Sequence, residues 1–496
     1  MSESHQIEQF NVENPPYDNS RNSDINKMNS MSDDDGDSND NIIFEHESSY
    51  LGNKKKNLNN KYCGIRANSE LSIILNIILS AIGGGFFTLP YTMYEGGVIA
   101  SLLVFLFVTV CIAYSMDLLR SFVVDTKYFS FALMTETILG HKWLKIYAFS
   151  SFIIYVGMEV NYLNLIYDKI QNLFQIEKND ILCQFLYFLI SIIIEVLICL
   201  YISKIAKMHM LSIISIFSFF ILLLNLVIIS VIRIARNEVE NEFDKFTSET
   251  LFFPNRTNIN ETRILNTPFF KTSSYAVQYS YAYLYQSTFP TLLGNLHDVS
   301  QSKTKKVHLI SFLSISGSYL ISIFFGYLSL SNNCIAKNSD IFCFDYSENY
   351  QFLTITYQIF FCIFLLTLIP TRFIVVRDNY ITLFGEKKMT FYKELFIIIF
   401  FISLCNAFAF GIFIWENINQ KFEAIEKIEI KSIKSHLQAF GGMFGIIICY
   451  CLPVINYVAV NRRQKIKSII GYFIVVIFIF IGICSFINSI PQLLTW

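Results

Sequence analysis

The sequence predicts an all-α multi-span membrane protein with about 11 transmembrane helices, two of them interrupted in mid-span. Three observations predict it. The 496 residues are 53% hydrophobic and only 16% charged, with a mean hydropathy of +0.45, far from the composition of a soluble domain. Apolar runs near the roughly twenty residues that a spanning helix needs recur from Leu71 onward. Two of those runs are interrupted, one by three consecutive glycines and Pro90 and the other by Pro290.

Residues 1–66 are rich in Asn, Ser and Asp, with an acidic run at Asp33, Asp34, Asp35 and Asp37 and a basic one at Lys54, Lys55 and Lys56. Such a segment has too little apolar content for a core and reads as a disordered cytoplasmic tail. No signal peptide is expected, because the first apolar run starts only near Leu71. From there, spans are expected near 71–95, 97–120, 145–168, 182–203, 208–233, 272–295, 307–330, 349–371, 394–415, 436–459 and 467–491. The transmembrane domain is therefore 67–496.

The first run contains Gly83, Gly84 and Gly85 and then Pro90. Glycine loosens a helix, and proline removes a hydrogen bond and clashes with the preceding turn. In a bilayer such a break is tolerated only where the freed backbone is buried in protein or lines a wet cavity. The run at 274–296 is broken in the same way by Pro290, with Ser287 and Thr288 just before it. Paired interruptions in two halves of a chain point to a transporter's binding site.

Orientation follows from basic loops, which collect on the cytoplasmic side. With the tail inside, Lys127, Lys142, Lys145, Lys204, Lys207, Lys303, Lys305 and Lys306 fall in inner connections. Arg372, Arg377, Lys387, Lys388, Lys393, Arg462, Arg463, Lys465 and Lys467 do so later in the chain. Trp496 then lies outside or in a lumen, the membrane being the plasma membrane or a vacuolar, lysosome-like one. Asn255 and Asn260 begin two N-x-Thr sequons in an outer loop, which makes them glycosylation candidates. Cys334 and Cys343 share another outer loop and are disulfide candidates, with Cys183 a competing partner. The remaining cysteines within apolar runs read as packing residues.

The run Gly83-x-Gly85-x-x-x-Leu89-Pro90-Tyr91, the Pro290 segment, Leu366 to Arg372 and Gly441-Gly442 leading to Pro453 resemble the amino acid/auxin permease family, within the wider amino acid transporter superfamily. The resemblance covers about 68–495. It implies a LeuT-like 5+5 inverted repeat with discontinuous helices one and six. Repeat one is about 71–233, repeat two about 272–459, and an extra helix about 467–491. It also implies secondary transport of amino acids. The amides of Gly83, Gly84 and Gly85 would then take the substrate carboxylate, with Ser80 and Ala81 lining the same break. Tyr281, Tyr285, Ser287 and Thr288 would face them, and Tyr162 would close over a side chain. Sodium-coupled members carry Asn eleven residues before the first proline, where this chain has Leu79, and some carry His five residues before the second, where it has Tyr285. Both departures favour proton coupling or uncoupled exchange.

Glu159 and Glu195 lie inside spans, and an ionisable group at that depth is a functional candidate by default. Glu159 is either a proton acceptor for coupling or a protonated carboxyl bonded to a neighbouring helix; for Glu195 the structural role is preferred. Asn161, Asn225, Asn406 and the serines at 212, 215 and 218 are explained by interhelical bonding and packing. No metal-ligand spacing or paired acid and base points to an enzyme, a metal or a cofactor, and a net charge of −1 argues against nucleic acid. The partners expected are an amino acid, a proton and lipid. An amino-acid sensor signalling through the tail is the alternative function.

Overall fold

The structure, a computed structural model, describes residues 61–494 except 63–64, 67–68, 84–85, 87–88, 91, 94–96, 175–180, 203–204, 236–267, 330–350, 386–388, 427–441 and 461–464. Its first elements are two short strands. β1 (Lys61–Tyr62) and β2 (Ile65–Arg66) pair antiparallel, Lys61 opposite Arg66.

α1 (Glu70–Ala81) starts on Ser69, whose side chain accepts from the Ser72 amide at 3.2 Å, and Glu70 sits in its first turn. Cap and acid both suit a helix N-terminus. α2 (Val98–Thr126), α3 (Phe131–Leu139), α4 (His141–Phe174), α5 (Ile181–Ile202) and α6 (Ile205–Ala235) complete the first half. The second half holds α7 (Pro268–Ala282), α8 (Phe289–Leu293), α9 (Gln301–Ser329), α10 (Gln351–Leu383) and α11 (Phe391–Glu426). α12 (Gly442–Val460) and α13 (Lys465–Leu494) follow.

Nine helices among the described residues are long and apolar enough to cross a membrane. The two broken segments, α1 with its continuation and α7 with α8, bring the crossings to the expected eleven. Several helices overrun their apolar windows. α4 has 34 residues, about 51 Å at the standard rise, so its polar ends project beyond a hydrocarbon core of about 30 Å. Hydropathy sees only the part in lipid. α3 was not expected: its 9 residues are too few to cross, Ser130 caps it, and Phe131 packs on Tyr147 at 4.9 Å between ring centres.

The outer surface is apolar. Val110, Leu197, Phe217, Leu313, Phe396 and Val476 are all exposed, on five different helices and α13, which suits lipid and no other solvent. Inside, α10 lies against α4 and α6, α7 against α2 and α13, and α1 against α6 and α9. At one end, Lys306 pairs with Glu70 at 3.0 Å, and Lys127 donates to the Val299 carbonyl at 2.8 Å. The connection at Lys127, the connection at 294–306 and the start of α1 thus converge.

α7 and α12 approach so closely that a Cβ at Gly442 would overlap Val277 Cγ1. Valine is stiff in a helix and cannot swing aside. Gly442→Val is therefore expected to cost about 1–3 kcal/mol through overpacking, read as a lower melting temperature in detergent, and Val277→Ala in the same chain should recover most of the loss.

Candidate functional site

α1 stops at Ala81. The Ile82 amide still reaches the Ile78 carbonyl at 2.9 Å, but Ile82 itself is extended and the chain bends at Gly83. α7 stops at Ala282, and Tyr283 to Thr288 form irregular turns before α8 resumes with Pro290 in its first turn. Each break leaves carbonyls without a helical donor, and in a membrane such groups need partners from inside the protein.

One side chain serves both breaks. The Tyr319 hydroxyl, on α9 and wholly buried, lies 2.9 Å from the Ala81 carbonyl and 2.5 Å from the Ala282 carbonyl. A hydroxyl has one proton, so it donates to the two carbonyls in turn or shares between them. One turn further along α9, Ser322 donates to the Phe86 carbonyl at 3.0 Å. Thr92 donates to Gln278 Oε1 at 2.6 Å, which ties the continuation of the first segment to α7.

The Ser80 carbonyl has a different partner. Arg372 Nη1 donates to it at 3.0 Å, and Nη2 reaches the Tyr162 hydroxyl at 3.4 Å. The guanidinium lies over the Tyr155 ring at 5.9 Å. Sequence reasoning placed Arg372 among loop cations. The structure corrects this: α10 continues to Leu383, and Arg372 is 0% exposed. The signal that could have found it is its spacing, two residues after Pro370 within one apolar run. Pro370 sits inside α10, and Thr367 and Thr371 turn their hydroxyls back to the Phe364 and Leu368 carbonyls around it.

Glu159 lies on the same face of α4 as Tyr155 and Tyr162, 0% exposed, with no hydrogen-bond partner for either carboxyl oxygen among the described residues. The charge on Arg372 reaches it. The bonded-carboxyl reading of Glu159 thus finds no partner here. Glu195 does find one, as expected of a structural group: Asn406 on α11 donates to it at 3.3 Å and accepts from Ser191 at 2.6 Å. Ser212 donates to Asn76 across α6 and α1.

Of the residues expected at the site, Ser80, Ala81, Gly83, Tyr162, Tyr281, Tyr285, Ser287 and Thr288 are brought to the two breaks. Ser80 and Ala81 contribute carbonyls, while the Ser80 hydroxyl bonds back to Ile77. Gly83 packs so tightly that a Cβ would overlap Tyr162 Oη and come within 2.9 Å of Arg372 Nη2. Ser287 faces Tyr147 and Tyr155, and Thr288 turns back to the Tyr285 carbonyl. Gln286, which the sequence did not single out, is 0% exposed in the same break, and neither its nitrogen nor its oxygen has a hydrogen-bond partner among the described residues. Gly84, Gly85, Asn255, Asn260, Cys334 and Cys343 lie outside the described residues. A cavity of about 20 Å³ sits beside the breaks, with Ser80, Thr288, Thr291 and Thr371 in its wall. That is room for about one water.

The sequence of residues 66–495 matches the family model for transmembrane amino acid transporter proteins. The chain belongs to that family. Among solved structures, this transporter is similar to MhsT in complex with L-phenylalanine, at 14% identity and TM-score 0.53 over 83% of this chain and 98% of that one. It is also similar to a mutant manganese transporter of Eremococcus coleocola, at 10% identity and TM-score 0.52 over 84% of this chain and 86% of that one. At these identities the likeness shows the fold, that of LeuT-like transporters with discontinuous first and sixth helices. No curated protein matches by sequence. The family makes the chain an integral multi-pass transporter rather than an enzyme.

The geometry of Tyr319 gives a direct test. Tyr319→Phe removes the hydroxyl from two buried carbonyls, a loss of about 1–3 kcal/mol, and is expected to lower the melting temperature in detergent. The same change at exposed Tyr472 should leave it unmoved.

Proposed function

We propose that the chain is a secondary transporter carrying amino acids by alternating access, coupled to protons or working as an uncoupled exchanger rather than driven by sodium. The observation that carries the proposal is that both interrupted segments end at one hydroxyl, Tyr319, in a buried polar centre. Opposed half-helix ends suit a zwitterion. Amides near a half-helix N-terminus favour a carboxylate, and free carbonyls favour an ammonium group.

In this reading Gly83, Gly84 and Gly85 offer amides, and the irregular stretch around Tyr281, Tyr285, Ser287 and Thr288 offers carbonyls and hydroxyls. Tyr162 forms the opposite wall. A cavity that holds one water is too small for an amino acid, so α1 and α8 move against α4 and α10 to admit one. The L-phenylalanine bound to MhsT supports the substrate class. Against sodium stands Arg372, a fixed positive charge at the carbonyl end of α1, where the helix dipole would otherwise favour a bound cation. Glu159 is the proton acceptor in this scheme. The tail is cytoplasmic and Trp496 lies outside or in a lumen, in the plasma membrane or a vacuolar, lysosome-like membrane.

Two substitutions test this in proteoliposomes. Gly83→Val drives its side chain into Tyr162 and Arg372, so uptake should fall to background while the protein still reaches the membrane; normal uptake would remove the site from this break. Glu159→Gln is expected to abolish the rise in uptake as external pH falls from about 8 to about 5, and an unchanged profile clears Glu159 of the proton. Replacing sodium by choline should leave the unsubstituted protein's uptake as it was.

A further inference from the structure

Arg372 does more than cap a helix end would require. The Ala81 carbonyl, one residue beyond the one Arg372 holds, is served by the neutral hydroxyl of Tyr319, so a neutral donor suffices for that task at this depth. A guanidinium brings a full charge and five N–H groups. One goes to Ser80, and one reaches Tyr162 at the long limit of a hydrogen bond. Nε is buried with no partner among the described residues. No carboxylate there forms an ion pair with it, although Glu159 shares the face of α4 that carries both of its tyrosine neighbours. Glu159 feels that charge but neither of its oxygens bonds to the guanidinium, and a charge removed from water without a directly bonded counter-ion is costly and calls for an anion.

The position fits such an anion. Arg372 is not itself in the wall of the small cavity, but Ser80, whose carbonyl accepts from it, and Thr371, the residue before it, both are. Gly83 lies so close that any side chain there would meet Nη2, which leaves the guanidinium facing bare main chain at the break. A planar fork of donors matches a carboxylate better than a point charge does.

We propose that Arg372 is the carboxylate anchor of the substrate site, and that it accepts or rejects a solute according to whether the solute carries a free carboxylate. The assignment rests on the amino acid transport reading. It extends that reading from main-chain amides to a side chain whose charge sets the substrate class: amino acids with an ionised carboxylate, and not their esters or the corresponding amines.

The experiment uses the full chain in proteoliposomes, with an equimolar pool of the twenty radiolabelled amino acids as probe. Competitors are the unlabelled pool and the pool of the same amino acids as methyl esters. The unsubstituted protein should be inhibited at least about tenfold better by the free acids, the scale expected for a charge-assisted contact. In Arg372→Gln that preference should fall to about one, with weaker inhibition by acids and unchanged inhibition by esters. Arg372→Lys should keep part of it, and it carries the test alone if the glutamine variant does not elute as a single species. A helix cap would lower melting temperature or uptake without moving the acid-to-ester ratio, so an unchanged ratio in the lysine variant, or in a folded glutamine variant, overturns the assignment. No uptake of any amino acid by the unsubstituted protein overturns the transport reading, and the anchor with it.

Discussion

The constraint on which this structure depends is that lipid offers no hydrogen bonds. A helix broken in mid-membrane leaves carbonyls that only the protein can serve. Here Ser80, Ala81 and Ala282 are those carbonyls, and Arg372 and Tyr319 serve them. Neither donor belongs to a broken segment. Tyr319 comes from α9 and Arg372 from α10, so the breaks are held open from outside by continuous helices.

That arrangement puts the donors and the broken segments on different helices. α4 and α10 pack on each other and on α5, α6 and α11, and they carry Tyr155, Glu159, Tyr162 and Arg372. α1 and α8 are short and border the breaks. The ends of α1 and α7 share one donor, since the Tyr319 hydroxyl lies within reach of both the Ala81 and the Ala282 carbonyls. The π turn at Ile447–Cys451 in α12 adds a further irregularity beside α7, where Ser280 meets the Tyr450 hydroxyl at 3.0 Å and Ser115 donates to the Cys449 carbonyl at 2.5 Å. A π turn inside a helix often marks a functional position.

The breaks were legible in the sequence because a run of glycines followed by proline weakens a membrane helix at the depth where its backbone has no water to turn to. Arg372 was missed because charge near a span's end is ordinarily a loop signal, and hydropathy cannot distinguish a cation just past the bilayer from one buried in an overlong helix. Tyr319 was missed because one tyrosine among 28 carries no mark of its neighbours; its role depends on α9 crossing both breaks, which is a property of the fold. α3 escaped because a helix of 9 residues leaves no periodic signal long enough to separate from its flanks.

These placements bear on how recognition is divided between main chain and side chains. Main chain at a break recognises charge but not the rest of a solute, because every residue offers the same amide and carbonyl. Distinctions of kind must come from side chains, and the ionisable side chains here, Arg372 and Glu159, both sit on continuous helices. A site that moved its charges at each cycle would meet the cost of desolvating them at each cycle. Here both charges sit on the continuous helices α4 and α10, and the broken helices contribute only the partial charges of their dipoles, which interact more weakly with water.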